Sequence, residues 1–166
     1  MIVVVMGVSG AGKSTVGEAL AQRLGVEFLD ADEFHPPGNV AKMAAAIPLT
    51  DTDRWPWLDR LNRELVARQG AGAVLACSAL KASYRACLRR GIADLRLVHL
   101  TGTIECIRER MRSRRHKFMP AALLESQFAT LEPPIGAIEV DAALGVSDAV
   151  KRIAAELLRK GPARTP

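Results

Sequence analysis

The segment Gly7-Val8-Ser9-Gly10-Ala11-Gly12-Lys13-Ser14 constrains this chain more than any other stretch. It matches G-x-x-x-x-G-K-[ST] in full, after the apolar run Ile2–Met6 and before apolar residues at helical spacing (Val16, Leu20, Leu24). A strand that enters a glycine-rich loop and leaves it as a helix gathers backbone N–H groups around a phosphate, and the helix dipole assists. On this reading Gly7, Ser9, Gly10, Ala11, Gly12, Lys13, Ser14 and Thr15 hold the phosphates of a nucleoside triphosphate, ATP. Lys13 reaches the β- and γ-oxygens, and the Ser14 hydroxyl ligates Mg²⁺.

Around this loop the pattern alternates. Apolar runs at Ile2–Met6, Val26–Leu29, Ala73–Cys77, Leu95–Leu100 and Ile138–Asp141 predict five strands. Helices are predicted over Ser14–Leu24, Pro36–Ala46, Pro56–Gln69, Lys81–Arg90, Thr103–Arg115, Ala121–Leu131 and Ser147–Arg159. Alternation of this kind indicates an α/β fold with a parallel sheet. With 166 residues and no linker or repeat, the chain reads as one domain over 1–166, with a lid near 108–131 and a frayed tail over 161–166.

Composition narrows the function. The apolar start has no basic flank and no run is long enough for a membrane span, so a cytoplasmic protein is expected. Cys77, Cys87 and Cys106 form no Cys-x-x-Cys pair and read as ordinary thiols. The net charge of +5 comes with only 4% aromatic residues, so small anions fit better than nucleic acid.

No D-x-x-G or N-K-x-D motif accompanies the loop, which argues against a GTPase. The acids at the end of an early strand are Asp30 and Asp32, in Phe28-Leu29-Asp30-Ala31-Asp32. A carboxylate there can orient an acceptor hydroxyl and take its proton, so Asp32 is the expected base, with Asp30 supporting Mg²⁺ through water.

The following residues run His35-Pro36-Pro37-Gly38-Asn39-Val40-Ala41-Lys42-Met43, then Pro48-Leu49-Thr50-Asp51-Thr52-Asp53-Arg54-Trp55-Pro56-Trp57-Leu58. Further blocks are Cys77-Ser78-Ala79-Leu80-Lys81-Ala82-Ser83-Tyr84-Arg85 and Ser126-Gln127-Phe128-Ala129-Thr130-Leu131-Glu132. These closely resemble the gluconokinase family's D-x-x-H-P-x-x-N-x-x-K-M, P-L-x-D-x-D-R-x-P-W-L, C-S-A-L-K-x-x-Y-R and S-Q-F-x-T-L-E. The resemblance covers nearly the whole chain. It implies ATP-dependent phosphorylation of D-gluconate to 6-phospho-D-gluconate, on a nucleoside-monophosphate-kinase or shikimate-kinase-like three-layer P-loop fold with a five-stranded parallel sheet and helical lid, often as a homodimer.

A sugar acid needs cations and amide-type partners. Asp32, His35, Lys42, Arg54, Lys81, Arg85 and Gln127 are therefore expected to line the acceptor pocket. In the arginine-rich lid, Arg114 is expected to neutralise the transferring phosphoryl group, and Arg108 or Arg112 to flank the adenine. The chain departs from the family at His116-Lys117, where Gly-His is common, and at Ala46 and Ala31, where glycine is common.

Overall fold

The computed structural model describes residues 1–113 and 121–159. Five parallel strands form one sheet in the order β2-β3-β1-β4-β5. They are β1 (Ile2–Met6), β2 (Glu27–Asp30), β3 (Ala73–Ala76), β4 (Leu95–Thr101) and β5 (Ile138–Asp141). The central strand β1 pairs with β3 and β4, so that Val4 lies beside Leu75 on one side and Leu97 on the other. All five of its residues are buried, which is why it reads as an unbroken apolar run.

Successive side chains of a strand point to opposite faces, and β1 divides accordingly. Val3 and Val5 enter one core with Val16 and Leu20 of α1 (Lys13–Leu24) and with Val150, Ile153 and Leu157 of α7 (Val146–Arg159). Ile2, Val4 and Met6 enter the other, with Leu58, Leu61 and Leu65 of α3 (Asp51–Ala67) and Leu88 of α4 (Ala82–Arg89). The result is a helix–sheet–helix sandwich, as the alternating pattern predicts. The remaining helices are α2 (Pro37–Ala44), α5 (Ile104–Ser113) and α6 (Ala121–Thr130). The expected frayed tail falls wholly outside the described residues, as do Arg114 to Lys117 of the expected lid.

Two local features differ from the pattern reading. Helix α3 begins five residues before Pro56, at Asp51, because Thr50 and Asp53 form a capping box. The Thr50 hydroxyl accepts from the Asp53 N–H at 3.2 Å, and Asp53 Oδ2 accepts from the Thr50 N–H at 2.9 Å. Pro56 therefore lies inside the helix. Between β2 and α2, residues Ala31–Phe34 form a 3₁₀ turn capped by Asp30.

Lys42 adds its ammonium to the Asp53 carboxylate, at 2.7 and 2.8 Å from its two oxygens. That ammonium, followed by the Thr50 N–H and hydroxyl, holds Asp53 at about 2 against an ordinary 3.8. A depressed carboxyl contributes stability that is complete above its unfolded value and is lost as pH falls through its folded value. Between pH 4 and pH 2 the wild type should therefore lose more stability than Asp53→Asn. Urea melts across that window check this; parallel curves for the two proteins would contradict it.

Ala46 follows α2 with φ 56, the left-handed conformation in which glycine is free of strain. The alanine at this usual glycine position thus leaves the turn intact at a cost of about 1 kcal/mol.

Candidate active site

The glycine-rich loop joins β1 to α1 at the C-terminal edge of the sheet, where ligands of open parallel sheets gather. Gly7 has φ 143, and a Cβ there would meet the Leu100 carbonyl oxygen at 2.8 Å. Gly10 has φ 82, and a Cβ there would strike Met111 of α5 at 2.6 Å. Both positions exclude a side chain. Helix α1 has neither a side-chain cap nor an acid in its first turn, so its leading N–H groups remain available for an anion. Lys13 Nζ crosses the loop to donate to the Val8 carbonyl at 3.0 Å. Burial pushes its pKa down, while the nearby Asp32 and Asp30 carboxylates oppose that shift. The Cys77 thiol beneath is pushed up to about 12, chiefly by burial, and stays protonated.

Asp30 connects this loop to the second acid. Its Oδ2 accepts from the Ser14 hydroxyl at 2.7 Å, and its Oδ1 accepts from the Asp32 backbone N–H at 3.1 Å. The Asp32 side chain is 87% exposed, whereas that of His35, one turn on, is 4% exposed. His35 stacks on Trp57 with ring centroids 4.2 Å apart, and the indole N–H of Trp57 donates to the Ala31 carbonyl at 2.8 Å. The Asn39 amide N–H₂ lies 3.2 Å from His35 Nδ1 and also donates to the Asp53 carbonyl at 3.0 Å. An amide nitrogen can only donate, so Nδ1 accepts and the imidazole proton sits on Nε2. Nε2 lies 3.9 Å from Asp32 Oδ1. Burial, ahead of the opposing Asp32 charge, lowers the His35 pKa and favours this neutral form. The H-P-x-x-N block thus builds a rigid support beneath an exposed carboxylate.

The cations expected around the acceptor are distributed unevenly. Lys81 Nζ lies 3.0 and 2.8 Å from the two Asp51 oxygens, and the Tyr84 hydroxyl donates to the same carboxylate. Lys81, then Tyr84, lowers the Asp51 pKa. Arg54 donates to the Leu49 carbonyl at 2.6 Å, and its guanidinium carbon lies 5.8 Å from the Tyr84 ring centroid. Together these groups form a polar wall from the starts of α3 and α4. Lys42 is paired with Asp53 at the same helix start.

Arg85 differs from expectation. It is 8% exposed and donates to the Ala79 and Leu80 carbonyls, at 2.9 Å each. Ala79 has φ 45, so the arginine braces a strained loop from within. That position makes it a support for the wall.

Helix α5 lies across the phosphate loop through Ile107 and Met111, both within 3.2 Å of a Cβ placed on Gly10. This packing decides which arginine faces the phosphate loop. Arg108 turns to Glu125 of α6, and Arg112 is exposed. Arg110 instead lines a cavity of about 410 Å³ with Glu105, Cys106, Glu109 and Ala143. Its Nη2 lies 3.4 Å from a Cβ placed on Gly12. Ile107 and Met111 mark the packed stripe, but Arg108 and Arg110 flank it symmetrically in sequence, so spacing alone does not tell them apart. Arg114, four residues further along the chain, lies outside the described residues.

Gln127 is placed against the phosphate loop. Its Oε1 accepts from the Ser9 N–H at 2.7 Å and its Nε2 donates to Ser9 Oγ at 2.9 Å, so its amide faces the phosphate loop. Among the described residues, no group of three or more His, Cys, Asp or Glu side chains is placed to hold a metal ion.

This geometry has relatives. A family model described as an AAA domain matches residues 2–134. A probable gluconokinase of Xenopus tropicalis is 42% identical over 180 residues, covering 96% of this chain and 95% of the relative. The crystal structure of a gluconokinase from Sinorhizobium meliloti 1021 superposes with a TM-score of 0.88 at 46% identity, over 95% of this chain and 91% of that one. A shikimate kinase from Acinetobacter baumannii, solved with shikimate, has a TM-score of 0.61 at 19% identity, over 96% of this chain and 94% of that one, and shows the fold alone.

Proposed function

The chain belongs to the gluconokinase family, and from that premise we propose the residues through which it phosphorylates D-gluconate with ATP to give 6-phospho-D-gluconate. The observation that carries the assignment is the bridge made by Asp30. One carboxylate ties the loop serine to the backbone of Asp32, which fixes the distance between the phosphate cradle and the exposed acid.

The triphosphate rests on the N–H groups of the loop and of the start of α1, with Lys13 alongside. The adenine occupies the cavity lined by Arg110, whose planar guanidinium suits ring stacking. Ser14 and, through water, Asp30 would hold Mg²⁺, their hydroxyl and carboxylate being oxygen donors of the kind it takes, with phosphates and water completing its shell. When bound, it neutralises phosphate charge. Asp32 accepts a hydrogen bond from the attacking hydroxyl, aligns it with phosphorus and takes its proton as the bond forms. His35 Nε2–H, on its stacked and buried ring, offers a donor at the edge of the same space.

Lys81, Arg54 and Tyr84 supply the polar wall for the sugar acid's carboxylate and hydroxyls. Arg114 is assigned to the charge on the transferring phosphoryl group. The reading carries with it a cytoplasmic enzyme that acts on a small molecule as a homodimer, without nucleic acid. Among the described residues, no helix is long and apolar enough to cross a membrane.

ADP release measured over a panel of D-gluconate, other sugar acids, aldoses and shikimate tests this. A site that hydrogen-bonds several substrate groups should favour D-gluconate over shikimate and the aldoses by about 100-fold or more in kcat/KM. Equal rates across the panel would contradict the assignment.

A further inference from the structure

Helix α6 and the residues just after it bind both halves of the site. Near the middle of the helix, Gln127 holds Ser9 through two bonds, one to its backbone N–H and one to its hydroxyl. Just past the helix, the Glu132 N–H donates to the Leu80 carbonyl at 2.9 Å, and the Glu132 carboxylate accepts from the Ala82 N–H. Ala82 opens α4, directly after Lys81 and two residues before Tyr84. A carboxylate at a helix N-terminus meets both unpaired N–H groups and the favourable end of the dipole. Leu124, 2% exposed, anchors the same helix in the core. One segment, 121–132, is thereby fastened at one point to the phosphate loop and at another to the wall of the acceptor site.

We infer that Gln127 is a positioning residue: it acts through Ser9 to hold the phosphate loop in register with the Lys81–Tyr84 wall, and it does not contact the acceptor. The inference rests on the gluconate-kinase reading above. An amide that satisfies both polar groups of one loop residue fixes that residue's backbone and its hydroxyl rotamer together. Such a contact is made before either substrate arrives. Its loss disturbs the alignment of donor and acceptor more than the affinity for the acceptor, and misplacements of an ångström are costly in rate.

The test is steady-state kinetics on Gln127→Ala, Ser9→Ala and the double variant, each checked by thermal melting. The expected result for Gln127→Ala is a fall in kcat of about 30-fold with KM for gluconate within about twofold. Ser9→Ala removes only the hydroxyl half of the contact and should lower kcat less. The double variant should be no slower than Gln127→Ala, because both changes break one interaction. If Gln127→Ala does not fold, Gln127→Met, of similar volume and without the amide, carries the same expectation.

A raised KM for gluconate with kcat intact would overturn the inference, since Gln127 would then be touching the acceptor. Effects that multiply in the double variant would overturn it as well. A wild type that fails to phosphorylate gluconate would sink the kinase reading itself. A wild type that turns gluconate over while Gln127→Ala keeps full kcat would sink only this inference.

Discussion

Asp32→Asn is expected to lower kcat by about 10³-fold while the dissociation constant for ATP changes by less than about threefold. The substitution keeps the size of the side chain and the backbone N–H that Asp30 accepts at 3.1 Å, so the 3₁₀ turn should stand unchanged. What it removes is the proton acceptor of the proposed mechanism. A positioned base contributes about 10²–10⁴-fold, and here it also orients the attacking hydroxyl, so a value within that range is expected. Asp32 is 87% exposed, and no described ion pair closer than the 3.9 Å approach of His35 depends on its charge. The folded protein should therefore lose little stability. Rapid-quench measurement of the chemical step, with calorimetric titration of an ATP analogue, separates the two quantities. A kcat within about threefold of wild type, under about 1 kcal/mol, would show that Asp32 is not the base.

Lys13→Ala should have the other large effect. In the proposed site the ammonium reaches the β- and γ-oxygens and counters charge that moves during transfer. Its removal should cost about 10³-fold or more in kcat/KM for ATP, about 4 kcal/mol. Some ATP binding should persist, because the uncapped N-terminus of α1 and the loop N–H groups remain. The melting temperature should hold steady or rise. Lys13 contributes one bond to the Val8 carbonyl, while its buried amine is held against an unfavourable desolvation that lowers its pKa. Higher stability on loss of a buried charge, together with loss of activity, is the signature of a group retained for function. Unchanged ATP affinity and rate would contradict the role given to the loop.

Much of this architecture is readable from residues whose environment is uniform. The run Ile2–Met6 is apolar at every position because both faces of β1 are covered, and the glycines after it mark a loop that no side chain can enter. The start of α3 is harder to read. Proline is ordinarily found in a helix's first turn, yet the capping box at Thr50 and Asp53 starts this helix earlier and places Pro56 inside it.

The acceptor side shows a deeper obstacle. A lysine or arginine on a helix looks the same in sequence whether it faces solvent, ligand or a carbonyl. Arg85 goes inward because the strained turn at Ala79 leaves two carbonyls that need a donor. Lys42 goes to Asp53, whose carboxylate already caps α3. Arg110, rather than Arg108 or Arg112, lines the cavity beside the loop because Ile107 and Met111 set how α5 lies on Gly10. Gln127 and Ser9 are 118 positions apart, and only the fold brings them together. Roles that follow from local chemistry are visible in the chain, and roles that follow from a partner elsewhere are not.

The central claim is a chemical one, that the terminal phosphoryl group of ATP passes to the C6 hydroxyl of gluconate. It is tested most directly by incubating the wild-type protein with ATP, Mg²⁺ and D-gluconate and following the mixture by phosphorus NMR with proton coupling. The expected result is one phosphomonoester formed in step with ADP, its phosphorus split by the two protons of a CH₂–O group and identical to authentic 6-phospho-D-gluconate. Inorganic phosphate in place of that ester, or a phosphomonoester coupled to a single ring or chain CH proton, would contradict it.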